Sequence, residues 1–323
     1  MLHQLGKGSF PEVIDSTIVA EWKACPAKTY FSHFLHLGAK YESIDLIAGG
    51  AFALGMEIIR KEYYGNKKSL QDALRIAFPA VITAYGNPDV PANKEAKSLD
   101  RVVEALVAYL QKWPPETDHI QPHMVDGQPS VEFTFSLPLP FNHPQTGNPL
   151  VYGGRFDLLG VYRDNLVVVD EKTTSQLGPT WSAKWNLRGQ FTGYCWAARE
   201  YGRPVVGAIV RGVSFLKNSF GFEESLQMRS QEQMDLWHED MLATVEDMLD
   251  AWATGRYAQN FADSCSAYGN CAFQRLCSVR NFEPWIEGNY GVRKWNPLEK
   301  VPIKVEAAPV METVSLADAM RDL

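Results

Sequence analysis

No apolar run in this chain reaches the length of a bilayer span, and residues 1–10 lack the basic-then-apolar layout of a secretion signal. A protein of the cell interior is the expectation that follows. No G-x-x-x-x-G-K-[ST] loop occurs, which excludes an ATP-driven motor of that type within the chain. A basic excess is also missing, since 31 Lys and Arg stand against 38 Asp and Glu for a formal net charge of −7. Any contact with nucleic acid must then come from a local basic surface on an acidic molecule. Cysteine is scarce and odd in number, five residues in 323, which argues against a disulfide framework. No internal repeat is evident. The remaining composition, 46% hydrophobic and 21% charged, is that of a globular chain long enough for one large domain or two small ones.

Helix signals dominate the first third. Asp15-Ser16 can cap a helix through Ile18, Val19 and Trp22, and Pro26 suits the start of another through Tyr30, Phe31 and Phe34. Apolar periodicity predicts helices over 45–64, 69–85 and 98–113, with Gly49-Gly50 allowing a close approach near the first. These form an expected helical subdomain at about 45–120, ahead of a core at about 130–255. In the core, Val131, Phe133 and Phe135 alternate with polar residues in a strand over 130–137. A helix over 181–201, a strand over 205–215 and an amphipathic helix over 230–254 follow the central hairpin. Strand, strand, strand, helix, strand is the order of a mixed α/β sheet flanked by helices. Residues 1–295 are expected to form one domain, and 296–323 a linker and tail. In that tail Leu316, Ala319, Met320 and Leu323 share a helical face that can dock on the body or on a partner.

The chemistry concentrates at 152–174, YGGRFDLLGVYRDNLVVVDEKTT. Two strands joined by a polar turn at Arg163-Asp164-Asn165 bring Asp157 alongside Asp170. Alternation puts Asp170 and Lys172 on one face and Glu171 on the other. Two carboxylates, a lysine and the backbone carbonyl of Glu171 then converge at one end of a sheet. That donor set suits a hard cation, Mg²⁺ or Mn²⁺, which takes a few carboxylate oxygens plus water and phosphate. Glu132 and Glu57 are candidates for a further acid, each also readable as a solvated surface residue. His119 and His123 have i, i+4 spacing, but their proline-flanked polar stretch reads as a loop.

Gly154-Arg155-Phe156-Asp157, then Asp170-Glu171-Lys172-Thr173, then Gln190-Phe191-Thr192-Gly193-Tyr194 resembles the PD-(D/E)XK nuclease superfamily, RecB-like branch. The resemblance implies a restriction-endonuclease-like fold and a bacterial or phage-encoded, cytoplasmic, metal-dependent deoxyribonuclease. Its catalytic residues would be Asp157, Asp170, Lys172, Gln190 and Tyr194, with Asp157, Asp170 and the Glu171 carbonyl on the metal. Arg155, Lys184 and Arg188 are candidate DNA contacts. RecB-like relatives commonly carry a metal-binding histidine on an early helix. The corresponding Gly50-Ala51-Phe52-Ala53-Leu54 has none, so the resemblance supplies one metal position and not a second.

Cys265, Cys271 and Cys277 are separated by five residues each, wider than zinc knuckles, and with Cys25 they suit a four-cysteine iron–sulfur cluster. RecB-like iron–sulfur nucleases share this layout, one cysteine before the core and three after it. Such a [4Fe–4S] cluster would have a structural role, closing a very long loop. Cys195 stands apart and reads as core. An exonuclease in recombination, repair or phage DNA processing, with DNA and a recombination or replication protein as partners, is the natural form. The alternative is a catalytically weak or inactive DNA- or partner-binding scaffold of the same fold. No membrane contact is expected.

Overall fold

The computed structural model describes residues 6–40, 42–261, 263–266, 270–299 and 306–307. The chain enters through a two-residue strand, β1 (Val13–Ile14), and helix α1 (Ser16–Ala24), whose first turn is capped by Asp15 accepting from the Ile18 N–H. Pro26 opens α2 (Pro26–Thr29), which widens into a π-helical turn at Tyr30–Phe34 before β2 (Leu37–Ala39). Helices α3 (Ile44–Arg60), α4 (Leu70–Tyr85) and α5 (Leu99–Lys112) follow, and Ser43 and Ser69 cap the first two. Their apolar stripes meet in one cluster around Phe52, Met56, Val81 and Leu106, which rests on Val213 and Phe215 of the sheet.

Short strands β3 (Ile120–Pro122), β4 (Met124–Val125) and β5 (Gln128–Pro129) lead into the sheet's long members. These are β6 (Val131–Asn142), β7 (Pro149–Tyr162) and β8 (Asn165–Thr174). Arg163 and Asp164 both take positive φ, 46° and 63°, which is the two-residue hairpin turn whose twist matches that of the strands. Beyond β8 come α6 (Pro179–Ala183) and α7 (Gly189–Glu200), then β9 (Gly207–Phe215), β10 (Phe220–Met228) and α8 (Gln231–Thr254). The chain continues through α9 (Gln274–Cys277), α10 (Glu283–Asn289), β11 (Tyr290–Val292) and β12 (Glu306–Ala307). The expected terminal helix at 314–323 lies outside the described residues.

The central sheet runs β1-β7-β8-β9-β10, with β3 and β6 on the other edge of β7. It is mixed: β8 and β9 are parallel, and β7–β8 and β9–β10 are antiparallel. Every residue of β9 is buried, as a strand covered on both faces requires. Helices α1, α7 and α8 cover one face, and the α3–α5 layer covers the other. A single helix over 181–201 does not form. The chain turns at residues 184–188, where the Trp185 carbonyl accepts from Arg229 Nη2 at 2.9 Å, and a new helix starts after Arg188 with no side-chain cap.

Two glycines let β7 approach its neighbours. A Cβ at Gly153 would lie 2.6 Å from Val13 Cγ1, and one at Gly154 would lie 2.7 Å from the Phe135 ring. We expect Gly154→Ala to destabilise the fold by roughly 1–3 kcal/mol, the usual cost of overpacking. Urea denaturation checks this, and an unchanged midpoint would contradict it.

Candidate active site

The β7–β8 ladder runs from Tyr162↔Asn165 to Leu158↔Val169 and stops. Beyond that point β8 continues beside β9 as far as Thr174, while the same edge of β7 is next taken by β1 at Val151 and Tyr152. Asp157 and Asp170 stand where the two strands part. The Glu171 N–H, left without a carbonyl on β7, donates to Asp157 Oδ2 at 2.7 Å. The carboxylate thus takes over a backbone bond that the sheet no longer makes.

Lys172 Nζ lies 2.6 Å from Asp170 Oδ2 as an ion pair. Among the described residues, this ammonium is the charged partner the structure gives that buried oxygen. Burial raises the pKa of Asp157 well above its usual value, reinforced by the charges of Asp170 and Glu171. Burial raises Asp170 also, opposed by Lys172. Lys172 itself is pushed down by burial, but the two aspartates outweigh this and hold it protonated. Glu171 points to the opposite face. Burial there is outweighed by Arg60, which keeps its carboxyl ionised below the usual range.

Two desolvated carboxylates facing one cleft favour a proton or a cation between them, and Asp170, beside Lys172, offers it a ligand. The residues present therefore fit a Mg²⁺-type ion, which needs only one or two carboxylates because water and phosphate complete its shell. Among the described residues, no group of three or more His, Cys, Asp or Glu side chains forms a preassembled metal cage.

The cleft, about 600 Å³, gathers Asp157, Asp170, Lys172, Gln190, Tyr194, Glu57, Glu132 and Arg155. Gln190 Nε2 donates to the Tyr194 hydroxyl at 3.0 Å, one helical turn apart on α7. Neither candidate extra acid is a free surface group: Glu132 pairs with Arg155 and Glu57 with Lys61. Lys184 and Arg188 are exposed on the turn before α7, not on the helix that carries Gln190, and neither lines the cleft. Of the two early glycines, Gly49 makes the close approach, 3.1 Å from a built Cβ to Thr173 Oγ1, and Gly50 faces the cleft. His119 bonds Glu224 and takes no part.

Sequence reasoning missed two contributions. Arg60 and Tyr109 grip Glu171 from the helical layer, across 111 and 62 residues of sequence. Trp295 donates from Nε1 to Asp15 Oδ2 at 3.1 Å, so the 293–299 segment becomes a wall of the cleft. Neither pairing leaves a local sequence signal. Elsewhere, Cys25, Cys265, Cys271 and Cys277 line one small cavity with Lys28, Gln259 and Phe273, while Cys195 is buried core. Burial pushes the Cys277 thiol up to about 11, with the other three cysteines contributing.

A mixed sheet whose central hairpin ends in acid, acid and lysine at an open cleft is the frame of an α/β nuclease. The chain belongs to the PD-(D/E)XK nuclease superfamily, whose sequence profile matches residues 17–278. Among solved structures, a provisionally named exonuclease from Eubacterium rectale aligns over 79% of this chain and 87% of its own, at 11% identity and a TM-score of 0.44. A protein designated SSO0001 aligns over 69% and 84%, at 13% identity and a TM-score of 0.30. No curated protein matches the chain.

A carboxyl whose pKa is raised on folding binds its proton more tightly in the native state, so its contribution to stability is lost as pH rises through the folded pKa. We expect the thermal midpoint in EDTA to fall from acidic to neutral pH more steeply in wild type than in Asp157→Asn. Added Mn²⁺ should restore the wild type at the upper end. Parallel pH profiles for the two proteins would contradict this.

Proposed function

We propose that this chain is a Mg²⁺- or Mn²⁺-dependent deoxyribonuclease, an exonuclease that hydrolyses DNA phosphodiester bonds in recombination, repair or phage DNA processing. The observation that carries the reading is the trio Asp157, Asp170 and Lys172, converging on one cleft from the parted ends of two strands. Asp157 and Asp170 are the residues that would hold the cation, joined by the Glu171 carbonyl, which leaves β8 on the same edge as the N–H bonded to Asp157. A bound cation supplies Lewis-acid polarisation of the phosphate and acidifies water. Lys172 brings a fixed positive charge to where negative charge develops on the phosphate. Gln190 and Tyr194 shape the cleft beside the lysine, and Arg155 is a phosphate contact once it exchanges Glu132 for DNA.

The four cavity-lining cysteines are the proposed ligands of a structural [4Fe–4S] cluster. Support comes from the shared cavity, to which Cys25 comes from 240 residues before Cys265. The retained lysine beside two acids favours an enzyme over an inactive scaffold.

Lys172→Ala should lower cleavage of end-labelled single- and double-stranded DNA by about 10²–10³-fold or more, with DNA binding largely kept. Absence of Mg²⁺- or Mn²⁺-dependent cutting by folded wild-type protein would sink the enzyme reading. Anaerobically purified protein should be brown, and Cys271→Ser should lose the visible absorption and melt at lower temperature. Colourless protein containing zinc would overturn the cluster.

A further inference from the structure

Behind the cation site, on the opposite face of β8, lies a buried ionic cluster that the chemistry above does not use. Arg60, the last residue of α3, donates from Nη1 to Glu171 Oε2 at 3.0 Å and from Nη2 to Oε1. The Tyr109 hydroxyl, from α5, donates to the same Oε1 at 2.9 Å and accepts from Arg211 Nη1 at 3.2 Å. Arg211, on β9 and 1% exposed, forks onto Asp118 at 2.7 and 2.6 Å, and its Nε reaches Glu224 at 3.0 Å.

Burying such charges stabilises a fold no better than apolar packing of the same volume, so their yield must be sought in geometry. The geometry is directional. Arg60 and Tyr109 together fix the Glu171 side chain, and the Glu171 N–H is the donor that holds Asp157 Oδ2 at 2.7 Å. A guanidinium fork and a phenol on one face of β8 therefore set the pose of a carboxylate facing the other way. Hydrogen-bond partners of a metal ligand tune its affinity, and the Glu171 N–H is such a partner of Asp157.

We infer that Arg60 and Tyr109 are positioning residues for the cation site, setting its metal affinity through Glu171 and the backbone of β8. This rests on the metal-dependent reading above. The α3 helix also contributes Gly50, Leu54 and Glu57 to the cleft, so Arg60 ties a cleft wall and the cation-bearing strand into one register.

The test measures Mn²⁺ binding to DNA-free protein by isothermal titration, beside thermal midpoints in EDTA. Arg60→Lys keeps the charge but cannot fork, and should weaken Mn²⁺ binding roughly tenfold or more. Tyr109→Phe removes one hydroxyl and keeps the shape. It should shift affinity the same way by a smaller factor while its midpoint in EDTA stays near wild type, and it carries the test if Arg60→Lys fails to fold. A purely packing role predicts the reverse, lowered midpoints with unchanged Mn²⁺ affinity, and that result overturns the inference while leaving the nuclease reading intact. Wild-type protein that binds no Mn²⁺ overturns both.

Discussion

Two strands that pair for five residues and then part create the site. While β7 and β8 run together, their backbone groups satisfy one another. Where they separate, one N–H needs a new acceptor and two side chains lose their neighbours, and a short aspartate answers both needs by bonding Glu171 N–H. The separation is enforced from outside: β9 draws β8 one way in parallel pairing, and β1 with β6 keeps β7 the other. Gly153 and Gly154 permit this because β7 lies too close to Val13 and Phe135 for side chains.

Three acids reach the buried end of this hairpin, and each is accommodated differently. Glu171 is neutralised by Arg60 and stays ionised. Asp170 has a lysine beside it, and Asp157 has a backbone donor but no cation of its own. The negative charge left over is concentrated on the cleft side. The wider cleft repeats the imbalance, with Asp15, Glu42, Glu57, Glu132, Asp157, Asp170 and Glu299 against Lys172, Arg155 and Arg293. So acidic a lining concentrates cations, and the proposed DNA substrate would enter it more readily with cations accompanying it.

Much of this was legible in the sequence because the signals are local. The Arg163–Asn165 turn, the valine run, the Asp15 cap and the alternation that sends Glu171 away from Asp170 all depend on residues close in sequence. Alternation said that Glu171 turns away and could not say what it meets, because its partners lie 62 and 111 residues distant. The 181–201 helix was over-read for the same reason: the Trp185 carbonyl at the break accepts from Arg229, which is 44 residues beyond it. Strand β10 went unread since its outer face carries partly exposed residues, and β1 is too short for any period to show.

Segments from early and late in the sequence pack together, and at the cleft residues 15–17 and 293–299 share its wall. Val13 and Leu298 both crowd the space beside Gly153, Trp295 bonds Asp15, and Tyr30 stacks on Tyr257 at 4.2 Å. Synthesis runs from the N-terminus, so the acids and the lysine are made about 120 residues before the segment that walls them in. The pocket acquires its final contour only once 293–299 has been made, and a chain cut before that segment lacks the wall that Arg293, Trp295 and Glu299 supply.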